Sequence, residues 1–203
     1  MNATRLGEFI FAALLIELTP GPNMTYIAAL TVARGAKSGF AAVGGVALGL
    51  AVLGTCATFG LAQLIEAVPA LYAAMRFAGA AFMLWLAWDS WRGAEGEDGD
   101  APAAFGAFGR SLVTNLLNPK AALFYLAVPP QFLDPARDPA PQLLAMLAAY
   151  VAVATFIHVA VVVGAAVLRS GAALQGMGAV RLRKAMAALL ALVAIWLLWE
   201  TRR

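Results

Sequence analysis

Charge is scarce in this sequence. Only 12% of its 203 residues are Asp, Glu, Lys or Arg, against 63% hydrophobic residues and a mean hydropathy of +0.82. A soluble domain of this length cannot bury so much apolar surface, so lipid must solvate most of the chain. With a single cysteine, Cys56, an internal disulfide and a cysteine-rich metal site are excluded. Histidine also occurs once, at His158, and no Ser-His pairing or clustered metal-ligand spacing accompanies it. Hydrolysis and redox chemistry need such constellations, so neither an enzyme nor a cofactor is expected. Continuous basic stripes are missing too. The net charge of +3 and pI near 9.4 come from Lys and Arg set singly between apolar runs, which fits membrane topology rather than nucleic-acid binding.

What is present is a succession of apolar segments, approximately 8–33, 39–65, 71–91, 105–133, 141–168 and 182–199. A spanning helix takes about 20 mostly apolar residues. The expectation is therefore an all-α integral membrane protein of six transmembrane helices in a single membrane domain. Arg5 and the apolar stretch from Phe9 imitate a signal peptide, but hydrophobicity continues to Ala33 without a convincing cleavage site, so the segment is expected to remain as the first span. The acidic, glycine-containing insert 93–100 separates three spans from three. This divides the chain into repeat one (1–92), an acidic linker (93–104) and repeat two (105–203). Arg34, Lys37, Arg92, Arg110, Arg169, Arg181, Arg183 and Lys184 fall on one side, and Arg5, Arg76, Arg137, Arg202 and Arg203 on the other. The positive-inside rule then leaves both termini outside by a thin margin. Trp85, Trp88, Trp91, Trp196 and Trp199 suit interfacial belts.

Two proline motifs interrupt equivalent spans. The first breaks at Thr19-Pro20-Gly21-Pro22-Asn23 and the fourth at Asn118-Pro119-Lys120. Proline in a helix removes a donor and clashes with the preceding turn, freeing carbonyls that hydrocarbon cannot satisfy. Such breaks persist against protein or a wet cavity. An odd number of spans per half requires the halves to insert with opposite orientation, as in the inverted repeats of secondary transporters, whose sites lie where interrupted helices meet near the midplane.

Asn118 suits an N-cap and Pro119 a first helical position, so a half-helix should start there. Thr19 with Pro20, or Gly21 with Pro22, could do the same in the first span. Lys120 would then sit in the first turn of a half-helix. The dipole disfavours a cation there by about 0.3–1 kcal/mol, and mid-membrane burial costs about 2.5–3.5 kcal/mol more. A substrate carboxylate would relieve both terms; snorkelling, or a permanent pair with Glu17, is the alternative. Ser111, Thr114, Asn115 and Asn118 form one polar stripe leading to Lys120, either along a pathway or bonded to neighbouring helices. Glu17 is a candidate proton carrier, a partner for Lys120, or an interfacial residue. His158 is read as a hydrogen-bonded packing residue, with a proton relay as the second reading. The Gly45-x-x-x-Gly49 pair gives the second span a thin face for close helix contact.

These motifs resemble those of the LysE/RhtB family of amino-acid exporters. Thr19-Pro20-Gly21-Pro22-Asn23 resembles its Thr-Pro-Gly-Pro-Asp/Asn signature, and 34–39 its basic connector. Gly45, Gly49 and Gly60-Leu61 follow at the usual distances, as do Arg76, Gly79, Phe82, Leu86 and Arg92. The run from Thr114 through Asn115, Asn118, Pro119 and Lys120 to Pro130-Gln131-Phe132 is similar to its Thr-Asn-x-x-Asn-Pro-Lys segment. The chain departs at Leu50 and Leu53, where many relatives carry an acidic residue and a histidine, and at Phe82, where tyrosine is common. The resemblance implies export of an amino acid or derivative across the bacterial cytoplasmic membrane by proton antiport. The substrate-binding candidates are Lys120, Asn118, Asn115, Pro119, Thr19, Pro20, Gly21, Pro22 and Asn23, with Glu17 and His158 as proton-coupling candidates. Expected partners are the amino-acid-like solute, the proton and the lipid bilayer, with a homodimer left open. The alternative reading is a membrane scaffold or accessory subunit that moves no solute.

Overall fold

The computed structural model describes residues 3–19, 21–59, 69–92 and 103–170, with scattered helical positions between 181 and 199. Expectations concerning Pro20, Gly60-Leu61, the acidic connector 93–102, the side chains of Arg76 and Arg92, and most of the sixth span lie outside the described residues.

Every described element is helical. The first expected span is two helices, α1 (Ala3–Leu18) and α2 (Pro22–Arg34), and the second is α3 (Ala36–Thr58). The third is α4 (Pro69–Arg92). The fourth is also divided, into α5 (Ala103–Leu116) and α6 (Pro119–Ala127), followed by a 3-10 turn at Pro129–Phe132. The fifth is α7 (Pro139–Ser170). Helix α5 thus starts inside the stretch expected to be linker. Among the described residues two helices, α3 and α7, have the length and mean hydropathy (2.0 and 2.5) to cross a membrane as single pieces. Helix α7 turns much of its apolar surface outward: Phe156 is 73% exposed, and Leu144, Val163, Val167 and Leu168 are exposed beside it, while α3 exposes Phe40, Leu48 and Val52. The core helix of a soluble protein would bury that surface, so these faces fit a lipid solvent.

The breaks form where local chemistry dictates. At the first, Gly21 is the N-cap and Pro22 the first residue of α2, which selects the second of the two starts that the sequence allowed. At the other, the Asn118 side chain accepts from the Lys120 backbone N–H at 3.0 Å, and Pro119 opens α6. Between α2 and α3 the chain turns at Gly35, whose φ of 90° lies in the left-handed region.

Residue pairs give the directions of packing. Helix α3 runs parallel to α5: a Cβ on Gly45 would meet the Phe108 carbonyl oxygen, and one on Gly49 would stand 2.7 Å from Asn115 Oδ1. Side chains at either glycine would push the helices apart, as the thin face of the second span anticipated. Helix α7 is antiparallel to α3, with Gly39 against Val162 and Gly54 against Leu147. It runs parallel to the first broken helix: Glu17 contacts Tyr150, and Arg169 Nη1 donates to the Val32 and Ala33 carbonyls at the end of α2 at 2.7 and 2.6 Å. The two broken helices are themselves antiparallel. Phe9 packs on Phe124 and Phe132, Arg5 reaches the Leu133 carbonyl, and the end of α1 meets the start of α6.

Candidate functional site

Because the broken helices run in opposite directions, the carbonyl end of α1 faces the N–H end of α6. Lys120 joins them. Its Nζ donates to the carbonyls of Ile16 at 2.9 Å and Thr19 at 3.1 Å at the C-terminal end of α1; the Ile16 carbonyl also accepts from the Thr19 backbone N–H at 3.2 Å. This amends the electrostatic argument from sequence. The start of α6 disfavours a cation, but the negative end of α1 favours one, and the side chain is long enough to move its charge from one dipole to the other. No permanent Glu17–Lys120 pair forms; Lys120 uses two of its three N–H donors on backbone.

Glu17 is buried on the last turn of α1 and turns toward α7 instead. The Tyr150 hydroxyl donates to its Oε1 at 2.5 Å, and His158 Nε2 stands 3.7 Å from its Oε2. Tyr150 is held by aromatic packing. Its ring stacks on Phe124 with centroids 3.7 Å apart and meets Tyr125 edge-on at 5.3 Å. The carboxylate is therefore positioned by Tyr150, a residue that the sequence does not mark as its partner. No local signal could have paired residues 133 positions apart.

Around these groups lies a cleft lined by Glu17, Thr19, Gly21, Pro22, Asn23, Asn118, Lys120 and His158, joined by Met24, Leu50, Ala121 and Tyr150. Eight of the positions singled out in the sequence thus meet at one place. Asn115 does not. It is fully buried against Gly49 at the α3–α5 contact, with both amide atoms unpartnered. Pro119 starts α6. The polar stripe of α5 is buried rather than facing lipid: Thr114 bonds back to the Arg110 carbonyl at 2.7 Å, and Ser111 Oγ is unpartnered. Asn23 Oδ1 and His158 Nδ1, both buried and lining the cleft, are unpartnered as well. A buried polar atom without a partner costs about 1–3 kcal/mol, so this conformation leaves unsatisfied polar groups at the cleft. The cavity volume is about 20 Å³, room for about one water.

Residues 14–201 match the family described as LysE type translocator. The chain is 33% identical over 155 residues, 74% of each chain, to the leucine efflux protein of Enterobacter sp. (strain 638). Leucine efflux proteins of Klebsiella pneumoniae subsp. pneumoniae and Salmonella typhimurium are 34% and 33% identical over 131 residues, 62% of each chain. No solved structure matches the chain.

Proposed function

Since the chain belongs to the LysE type translocator family, a family of transporters rather than of enzymes, we propose that it exports an amino acid or amino-acid derivative from the cytoplasm by proton antiport, through a site formed where its two broken helices face each other. The carrying observation is the bridge from Lys120 at the start of α6 to the Ile16 and Thr19 carbonyls at the end of α1. In the open state the substrate carboxylate takes the place of those carbonyls on the ammonium and accepts from the N–H groups at the α6 terminus. Asn23, Asn118 and the free carbonyls of the first break receive the substrate's ammonium and polar groups.

Glu17, between Tyr150 and His158, carries the exchanged proton inward as solute leaves. The groups facing this carboxyl are Tyr150 and His158 of α7, with Lys120 and Tyr125 of α6 nearby. Six spans in two inverted repeats fit the packing. Helix α3 of the first half runs parallel to the broken helix of the second, and α7 of the second half parallel to that of the first. Exchange of partners between halves is what a two-fold axis in the membrane plane produces. The relatives' name makes leucine the first solute to try.

Counterflow of radiolabelled leucine and a panel of other amino acids in proteoliposomes tests this. Lys120→Ala is expected to insert at wild-type level and to lose roughly 30-fold or more of the flux, the loss typical of truncating one partner of a buried charge pair. Wild-type flux from that variant rejects the carboxylate role; absence of any flux from the unaltered protein rejects transport.

A further inference from the structure

Beside the polar cleft is a second, larger space that the proposed site does not use. It has a cavity volume of about 320 Å³ and lies between the second half of α3, the end of α6, the 3-10 turn and the start of α7, with Gly54, Ala57, Tyr125, Leu126, Pro129 and Leu147 in its wall. Its lining is mainly apolar. An apolar cavity of about 150 Å³ already admits benzene, so this chamber has room for an isobutyl, isopropyl or phenyl group.

The chamber and the cleft share a partition. Tyr125 lines the chamber, Leu50 lines the cleft, and the Tyr125 hydroxyl donates to the Leu50 carbonyl at 2.9 Å. Gly54 permits this arrangement: a Cβ there would stand 2.7 Å from the Tyr125 ring, so only a bare backbone lets the ring lie against α3. In an α-amino acid one carbon separates the charged head from the side chain. A head group held at Lys120 would have this chamber on the far side of the Leu50–Tyr125 contact.

We propose that this chamber is the subsite for an apolar substrate side chain, and that Gly54, Ala57, Tyr125 and Leu147 set the preference for branched or aromatic amino acids over small ones. The inference rests on the export reading and adds to it the chemical class of the solute. Apolar burial favours a side chain that fills the space, and a site that has lost that volume discriminates against a large aliphatic group by about tenfold or more.

The test fills the chamber after folding. Ala57→Cys in a Cys56→Ser background is reconstituted, assayed for leucine and alanine counterflow, and then modified with benzyl methanethiosulfonate, with mass spectrometry establishing full modification. Leucine counterflow is expected to fall about tenfold while alanine counterflow stays within about twofold, and Leu147→Trp should give the same selectivity without a reagent. Equal loss of both solutes, or no change in their ratio in either protein, overturns the chamber while leaving export standing. A wild-type protein that moves neither leucine nor any other amino acid overturns the export reading and this inference with it.

Discussion

Glu17 is the residue whose environment is hardest to explain by packing alone. Buried in the last turn of α1, it receives a short hydrogen bond from Tyr150 and faces His158, whose far nitrogen has no partner. A structural carboxyl of this kind would be replaceable by its amide, because Gln keeps an acceptor oxygen for the Tyr150 hydroxyl. A proton carrier would not be. Glu17→Gln is therefore expected to retain leucine counterflow within about threefold, as substrate positioning is spared, yet to lose accumulation driven by a pH gradient. Vesicles assayed with and without the gradient check this, and gradient-driven accumulation at the wild-type level would remove Glu17 from the coupling route. The candidate identities of Glu17, Lys120 and His158 were legible in the sequence because ionisable groups in apolar spans are costly. Their partners were not. The family resemblance puts an acid and a histidine at Leu50 and Leu53; here Leu50 lines the same cleft as Glu17 and His158, which arrive from α1 and α7.

At the scale of elements, the breaks were readable because they obey local rules. Gly21-Pro22 and Asn118-Pro119 each start a helix with a cap and a residue that needs no N–H. The contact of α3 with α5 also follows from composition, since Gly45 and Gly49 remove the side chains that would hold the two helices apart. A comparison of neighbouring glycines isolates this. A Cβ on Gly45 would strike the Phe108 backbone carbonyl, whereas one on Gly44 would rest 3.5 Å from the Phe108 ring in ordinary contact. Gly45→Ala should therefore destabilise the detergent-purified protein by about 1–3 kcal/mol through overpacking. Gly44→Ala should be neutral or slightly stabilising, because Ala raises helix propensity by about 0.5–1 kcal/mol. Thermal unfolding of the two variants side by side is the measurement, and equal behaviour would contradict the close approach. The end of the fourth segment was less legible: a short helix and a 3-10 turn replace the tail of a single span, because Pro129 and Pro130 cannot donate to continue the helix.

For the molecule as a whole, the decisive relation is that the broken helices run antiparallel, each beside the long helix of the other half's counterpart. Six spans in two inverted halves require both termini to emerge on the same side of the membrane. Reporter fusions or impermeant thiol labelling at the two ends should report the same compartment, and opposite compartments would exclude the six-span arrangement. Arg169, at the end of α7, donates to the Val32 and Ala33 carbonyls at the end of α2, so labels placed at these two helix ends should report one compartment as well.

By itself, the sequence determined the solvent, the helical class and the sites of interruption, because each follows from hydropathy or from short-range backbone chemistry acting within a few residues. Only the tertiary structure decided where the freed groups went. The Lys120 ammonium found carbonyls 101 and 104 residues away, Glu17 found Tyr150, and Asn115 was turned onto Gly49 instead of into the cleft. Those outcomes depend on helix direction and rotation about the helix axis. Packing fixes both, and they leave no periodic trace in the chain.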